Sequence, residues 1–216
     1  MAWTVERWRR VPGLEQRFGD RLAAAPDAVV TLRQVHGRLV RPVDEVTGET
    51  MEGDGLVTDR AGAIVAVSTA DCVPVHLMAP AARVAAALHC GWRGSAAGIL
   101  AEALGLLGRR WNVRPEEVEA ALGPAIGACC YEVGREVRDA FVARAGPRLG
   151  TVGFEAYGDR LAFDLRAFLE AELRELGVAV VERVGPCTAC TIERLHSYRR
   201  ERQTRGRQLS WIGWRG

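Results

Sequence analysis

Residues 63–90 read AIVAVSTADCVPVHLMAPAARVAAALHC. Three apolar runs fill this stretch: AIVAVST over 63–69, VPVHLMA over 73–79 and RVAAALHC over 83–90. Each has the length of a strand, and their almost unbroken apolarity is the mark of strands covered on both faces. The breaks between them are too short for a crossover helix, so the strands follow one another directly.

The pattern continues outward in both directions. AVVTLRQVHG followed by RLVRPV, within residues 27–43, predicts strand, polar turn, strand. Downstream, Ser95 is placed to cap a helix running through AAGILAEALGLLGRR, with Ile99, Leu100, Ala103, Leu106 and Leu107 on one stripe. A strand is predicted over 118–123. Residues 134–145 read as a helix that buries Val137, Phe141 and Val142. Asp164 caps a further helix carrying Leu165, Phe168, Leu169, Leu173 and Leu176, and Gly177 ends it before the strand VAVVERV at 178–184. Strands outnumber helices and partly adjoin, which predicts an α+β domain rather than a regular βαβ alternation. No internal repeat, low-complexity segment or Pro/Gly/Ser linker divides residues 1–216, so one domain is expected.

Composition narrows the functional classes. Hydrophobic residues make up 48% and charged residues 26%, and the net charge is +2. That balance sets up no strong field, and neither a nucleic acid nor a membrane surface is expected as a partner. All 29 cationic side chains are arginine, which removes a Schiff-base lysine and a P-loop lysine at once. The first residues, MAWTVERWRR, have no apolar signal region, and no stretch has the length of a membrane span. A cytoplasmic location is expected, where six cysteines read as metal ligands, catalytic groups or buried thiols before a disulfide framework.

Four histidines invite individual weighing. His36 lies in QVHG, His89 closes an apolar run ahead of Cys90-Gly91-Trp92-Arg93-Gly94, and Cys72 sits between two runs. All three fall at predicted strand ends, where side chains converge on a common edge. Two imidazoles and a thiolate suit zinc, and three protein ligands leave a fourth position open. The bland alternative is three packed or exposed residues, because no local metal motif joins them. His76 alternates with apolar residues and reads as a strand histidine. His196 lies in an arginine-rich tail and reads as surface or substrate-side.

Pro186-Cys187-Thr188-Ala189-Cys190 supplies half of the zinc nucleobase-deaminase signature, but the H-x-E half is missing at every histidine. The pair reads instead as buried or site-lining thiols. Cys129-Cys130 follows the glycine-rich GPAIGA; one thiol is expected to face a site and the other the core, and Cys130 is a candidate nucleophile of a cysteine hydrolase. Residues 194–207 hold Arg194, Arg199, Arg200, Arg202, Arg205 and Arg207, which is either a solvated basic face or, with Tyr198 and Gly206 among them, an anion site.

Taken in order, QVHG, TADCVPV, HCGWRG, GPAIGACCYEVG and CTAC with HSYRRERQTRGR resemble the YfiH-like (laccase-domain, DUF152) family, from about residue 30 to the C-terminus. The resemblance implies an αββα-type layered domain with mixed β-sheets, related to the catalytic domain of cytotoxic necrotizing factor. It implies a zinc site of His36, Cys72 and His89, with copper the less favoured metal. It also implies phosphorolysis of adenosine, inosine, guanosine and S-methyl-5′-thioadenosine, together with deamination of adenosine. Other descriptions of the family are a peptidoglycan-editing hydrolase acting on nucleotide-linked muropeptides and a copper-binding polyphenol oxidase. Purine nucleosides and phosphate are then the partners, with no obligate protein partner. Asp71 would handle protons, Arg93 would hold phosphate with Arg199 and Arg200 behind it, and Tyr131 and Tyr198 would contact the base. The sequence departs from the usual family pattern at Cys90 and at Gln203-Thr204-Arg205-Gly206-Arg207. Multicopper chemistry needs many more imidazoles than four histidines provide. A single blue-copper centre would need an axial ligand such as Met78.

Overall fold

The computed structural model describes residues 2–48, 50–202 and 205–216. The three apolar runs of 63–90 become β4 (Ile64–Thr69), β5 (Val73–Ala79) and β6 (Val84–Cys90). β5 and β6 pair antiparallel, with Val73 opposite Cys90 and Ala79 opposite Val84. β4 leaves this sheet for another. It pairs with the C-terminal strand β12 (Gln208–Trp214), which also pairs β1 (Leu14–Phe18), giving the order β1-β12-β4.

β5 and β6 form the centre of a six-stranded mixed sheet. Around them lie β2 (Val40–Pro42), β3 (Gly55–Thr58), β7 (Glu119–Leu122) and β11 (Val180–Arg183), in the order β11-β7-β5-β6-β3-β2. The outer pairs β11/β7 and β2/β3 are parallel, and the inner pairs are antiparallel. A third small sheet joins β8 (Glu132–Val133), β9 (Phe154–Tyr157) and β10 (Arg160–Phe163).

Strand alternation explains the two-sided burial. Val73, Val75, Leu77 and Ala79 of β5, with Val84, Ala86, Leu88 and Cys90 of β6, enter one core. Helices α2 (Ile99–Trp111), α3 (Arg135–Gly150) and α4 (Leu165–Glu175) cover that face. Met78, Ala85 and Ala87 point the other way, against Val65, Val67, Ile212 and Trp214 of the β1-β12-β4 sheet. The expected layered α+β class is what forms, with the mixed six-stranded sheet stacked on the antiparallel β1-β12-β4 sheet. Over the outer face of the β1-β12-β4 sheet, Ile64, Ala66 and Trp211 are covered by Ala23 and Val29, from chain without regular helix.

Local expectations mostly held. Asp164 caps α4, its side chain accepting the Ala167 N–H at 3.0 Å. Val137 and Phe141 are buried in α3, whereas Val142 is half-buried; α3 breaks at Gly146, where φ is +74° ahead of Pro147. Two expectations need correction. Ser95 does not cap a helix: it is buried inside the short α1 (Trp92–Ala96), and Gly98, at φ +89°, precedes α2. Residues 27–36 do not form a strand; Val30 and Arg33 make only isolated bridges, to Val65 and Glu52. The apolar residues there serve to cover a sheet rather than to extend one.

Phe141, Phe163 and Phe168 meet edge to face, Phe141 at 5.2 and 4.4 Å from the other two rings. Phe168 is fully buried. Phe168→Ala should therefore destabilise the fold by about 3–5 kcal/mol, and Val142→Ala by much less, as read from denaturant unfolding followed by circular dichroism.

Candidate metal centre and pocket

Strand pairing brings the predicted trio together. Gly55 lies opposite Leu88, and the His89 N–H donates to the Asp54 carbonyl at 2.6 Å, so Asp54 and His89 are neighbours. Cys72 immediately precedes β5 at the same end of the sheet. His36 arrives from the QVHG turn, where it adopts φ +59°. The ligand atoms of His36, Cys72 and His89 all lie within 4.8 Å of one another. His36 is exposed, Cys72 half-buried and His89 buried, which leaves the group open on one side.

Asp54 organises this arrangement, and it is almost wholly buried. Its carboxylate accepts the backbone N–H groups of Val35, His36 and Gly37 at 3.3, 2.9 and 2.7 Å. It also accepts His89 Nδ1–H at 2.7 Å, which leaves Nε2 of His89 to face Cys72. A carboxylate behind a histidine in this way fixes the ring's orientation and tautomer for metal binding. Asp54 was not foreseen from sequence. The available signal was a carboxylate set between Gly53 and Gly55 at the head of a fully buried strand.

Two glycines permit the close approach. A Cβ on Gly94 would lie 2.3 Å from the Gly37 carbonyl oxygen, and one on Gly91 would lie 3.0 Å from the Cys72 sulfur. The HCGWRG and QVHG segments can interlock only with hydrogen at these positions.

Charge within the trio is strongly coupled. Burial alone would raise the Cys72 thiol, but hydrogen bonds from His36 and His89 outweigh it and bring it to about 6. Burial would lower His89, but its bonds to Asp54 and Cys72 push it up to about 9. Burial would raise Asp54, yet its bonds to His89 and the backbone hold it below its ordinary value. Two imidazoles, one ready thiolate and a carboxylate behind one ring form a donor set that fits zinc.

A cavity of about 650 Å³ opens beside the trio. Of the residues expected to work there, Asp71, Arg93, Tyr131, Tyr198 and Arg199 line it with the trio; Arg200 and Cys130 do not. Both Asp71 oxygens are engaged, by Thr188 Oγ1 at 2.5 Å and by the Arg199 N–H at 2.8 Å. Asp71 thus ties the C-terminal segment to the pocket. The Arg93 guanidinium lies 4.5 Å from the Trp92 ring centroid, and that of Arg199 lies 5.3 Å from Tyr131. Trp92 and Arg207 also line the pocket and were not singled out as substrate contacts.

The remaining histidines are placed elsewhere. His76 is fully buried, stacked on Phe18 at 4.3 Å and bonded to Gln16 at 3.1 Å, and burial brings it down to about 3. His196 is half-buried and packs against Gly206. Of the departure at 203–207, Gln203 and Thr204 lie outside the described residues. Cys129 and Cys130 do not divide between site and core, because both approach Cys190, at 3.6 and 3.5 Å. Met78 is a core residue between the sheets, roughly 20 Å along the strand from Cys72, and cannot be an axial ligand.

Two stacked sheets, one mixed and one antiparallel, with a pocket built round a His-Cys-His centre, define the class: an α+β pocket protein with a candidate metal site. The chain belongs to the family described as multi-copper polyphenol oxidoreductase laccase, whose sequence model matches residues 6–215. The purine nucleoside phosphorylase YlmD of Geobacillus stearothermophilus is 36% identical over 212 residues, covering 92% of this chain and 76% of that protein. The purine nucleoside phosphorylase YfiH of Escherichia coli K12 is 37% identical over 190 residues, covering 87% and 74%. The crystal structure of YlmD from Geobacillus stearothermophilus matches with a TM-score of 0.89 at 28% identity, covering 100% of this chain and 97% of that one. The family's copper description sits poorly with these residues: only His36 and His89, of four histidines, reach the candidate centre.

Two outcomes test the centre. Asp54→Asn should weaken zinc binding by about 10- to 100-fold in chelator competition, since the amide has no charge and only one oxygen to accept from both the turn and the His89 ring. Between about pH 6 and 9 the metal-free pair is a Cys72 thiolate with a protonated His89, and a metal must displace that proton. Zinc affinity should therefore rise with pH across this window and fall more steeply below about 6, where the thiol also holds its proton.

Proposed function

We propose that the pocket binds a purine nucleoside together with phosphate and cleaves the bond between base and sugar. The observation that carries this reading is the convergence, in one cavity of about 650 Å³, of arginines, aromatic rings and the His-Cys-His trio. The volume lies in the range of small-molecule sites and leaves room for a nucleoside and an anion. The names of the similar proteins from Geobacillus stearothermophilus and Escherichia coli support the same choice.

The chain's own side chains suggest how the work divides. Arg93 and Arg199 present guanidinium groups to the cavity, suited to hold phosphate near the ribose C1′. Trp92, Tyr131 and Tyr198 offer flat faces and hydroxyls for the base. Burial, with the Cys72 charge, pushes the Tyr131 hydroxyl above its ordinary range, so it stays protonated and can donate to a purine nitrogen as the base leaves. A phosphate oxygen forms the new bond to C1′, the bond from C1′ to the purine nitrogen breaks, and the base departs with the proton that the attacking monohydrogen phosphate gives up. Asp71 acts as a positioning residue through Arg199 and Thr188. Zinc held by His36, Cys72 and His89 would supply Lewis-acid polarisation beside the sugar. Adenosine, inosine, guanosine and S-methyl-5′-thioadenosine are the proposed substrates, and deamination of adenosine is a second reaction of the same pocket.

Incubation with adenosine or inosine should release free base and ribose 1-phosphate only when phosphate is present, and phosphate-free adenosine should yield inosine. Arg93→Ala should raise the KM for phosphate by about 10- to 100-fold, the worth of a lost charge-assisted bond. Release of free base that ignores phosphate, or turnover that persists unchanged in Cys72→Ala, would overturn the reading.

A further inference from the structure

A second group of thiols lies outside this pocket. The sulfurs of Cys129, Cys130, Cys187 and Cys190 all lie within 4.8 Å of one another, and all four are free cysteines. Two loops meet there. One follows β7 and carries GPAIGACCY; the other follows β11 and carries GPCTAC. A bridge between Ala125 and Cys187, and a bond from the Thr188 N–H to the Ala125 carbonyl at 3.1 Å, hold the loops side by side.

The spacing suits one ion. Zinc–sulfur bonds of about 2.3 Å at tetrahedral angles put the sulfurs of a zinc tetrathiolate about 3.8 Å apart. Here Cys190 is 3.6 Å from Cys129 and 3.5 Å from Cys130. The surroundings are built for anionic sulfur. The Gly127 N–H donates to the Cys187 sulfur at 3.2 Å, and the N–H groups of Ala189 and Cys190 turn toward the same atom. That is a Cys-x-x-Cys turn whose amides already face its first sulfur. The half-buried Arg166 lies close enough to feel charge on Cys187 and Cys129, and its buried Nε has no hydrogen-bond partner among the described residues. A cation and three amides beside four thiols offset part of the negative charge that a tetrathiolate carries.

We propose that Cys129, Cys130, Cys187 and Cys190 form a second metal centre, binding one zinc ion in a closed tetrathiolate. Four thiolates leave no open position, so this ion is structural. Its work is to clamp the pocket wall. The first loop carries Ile126 and Tyr131 into the cavity, and the second carries Thr188, which bonds Asp71. Loss of the ion should loosen both loops without touching His36, Cys72 or His89.

The test is a metal count with a spectrum, neither of which depends on turnover. Protein prepared under reducing, oxygen-free conditions should hold about two zinc ions per chain. Cys72→Ala and Cys129→Ser/Cys190→Ser should each hold about one. Cobalt loaded into Cys72→Ala should show the intense thiolate-to-cobalt charge-transfer band of a tetrathiolate. If the double variant fails to fold, the cobalt spectrum of Cys72→Ala decides alone. A single zinc lost entirely in Cys72→Ala, cobalt in that variant without thiolate bands, or freshly isolated protein with these cysteines joined as disulfides would each overturn the proposal.

Discussion

The buried Asp54 carboxylate is the constraint on which the candidate site depends. It accepts three successive backbone N–H groups from the QVHG turn and the Nδ1–H of His89. Burying a carboxylate is costly unless its oxygens are matched by donors, and here the donors come from two distant parts of the chain. The one side chain therefore sets the turn that presents His36 and fixes the ring nitrogen that His89 can offer. Remove the charge and both histidines lose their reference point.

The sheets supply the rest of the frame. Antiparallel pairing of β5 with β6, and of β6 with β3, brings Cys72, His89 and Asp54 to one end of the large sheet. Glycines 91 and 94 then let the chain beyond β6 pass within contact of Cys72 and Gly37. The opposite wall hangs from Asp71, whose two oxygens hold Thr188 and the backbone of Arg199. Both walls are thus anchored by carboxylates that receive N–H or O–H groups from remote segments. Such a pocket is preformed, and a bound nucleoside would not have to order it.

Much of this was legible in the sequence, and the reason differs from element to element. β4, β5 and β6 showed themselves because strands buried on both faces leave an unbroken apolar run. α4 showed its start because Asp164 caps locally. His36, Cys72 and His89 could be picked out because imidazole and thiolate chemistry is rare, although the strand pairing that unites them is not local. Residues 27–36 were misread because covering a sheet needs the same apolar residues as joining one. Asp54 is harder to read, because the flanking Gly53 and Gly55 mark only a tight entry to β3 and say nothing of its partners at 35–37 and at 89. The four cysteines looked like two unrelated pairs for the same reason, since the loops that carry them meet only in the fold.

The central claim is that the pocket beside His36, Cys72 and His89 receives a purine nucleoside, with phosphate held by arginine. A crystal structure of the zinc-loaded protein with inosine and a non-reactive phosphate mimic tests it most directly. The account predicts the base against Tyr131 and Tyr198, the anion against Arg93 or Arg199, and the ribose C1′ between the anion and the metal trio. A nucleoside bound outside this cavity, or zinc held without His36, Cys72 and His89, would contradict it.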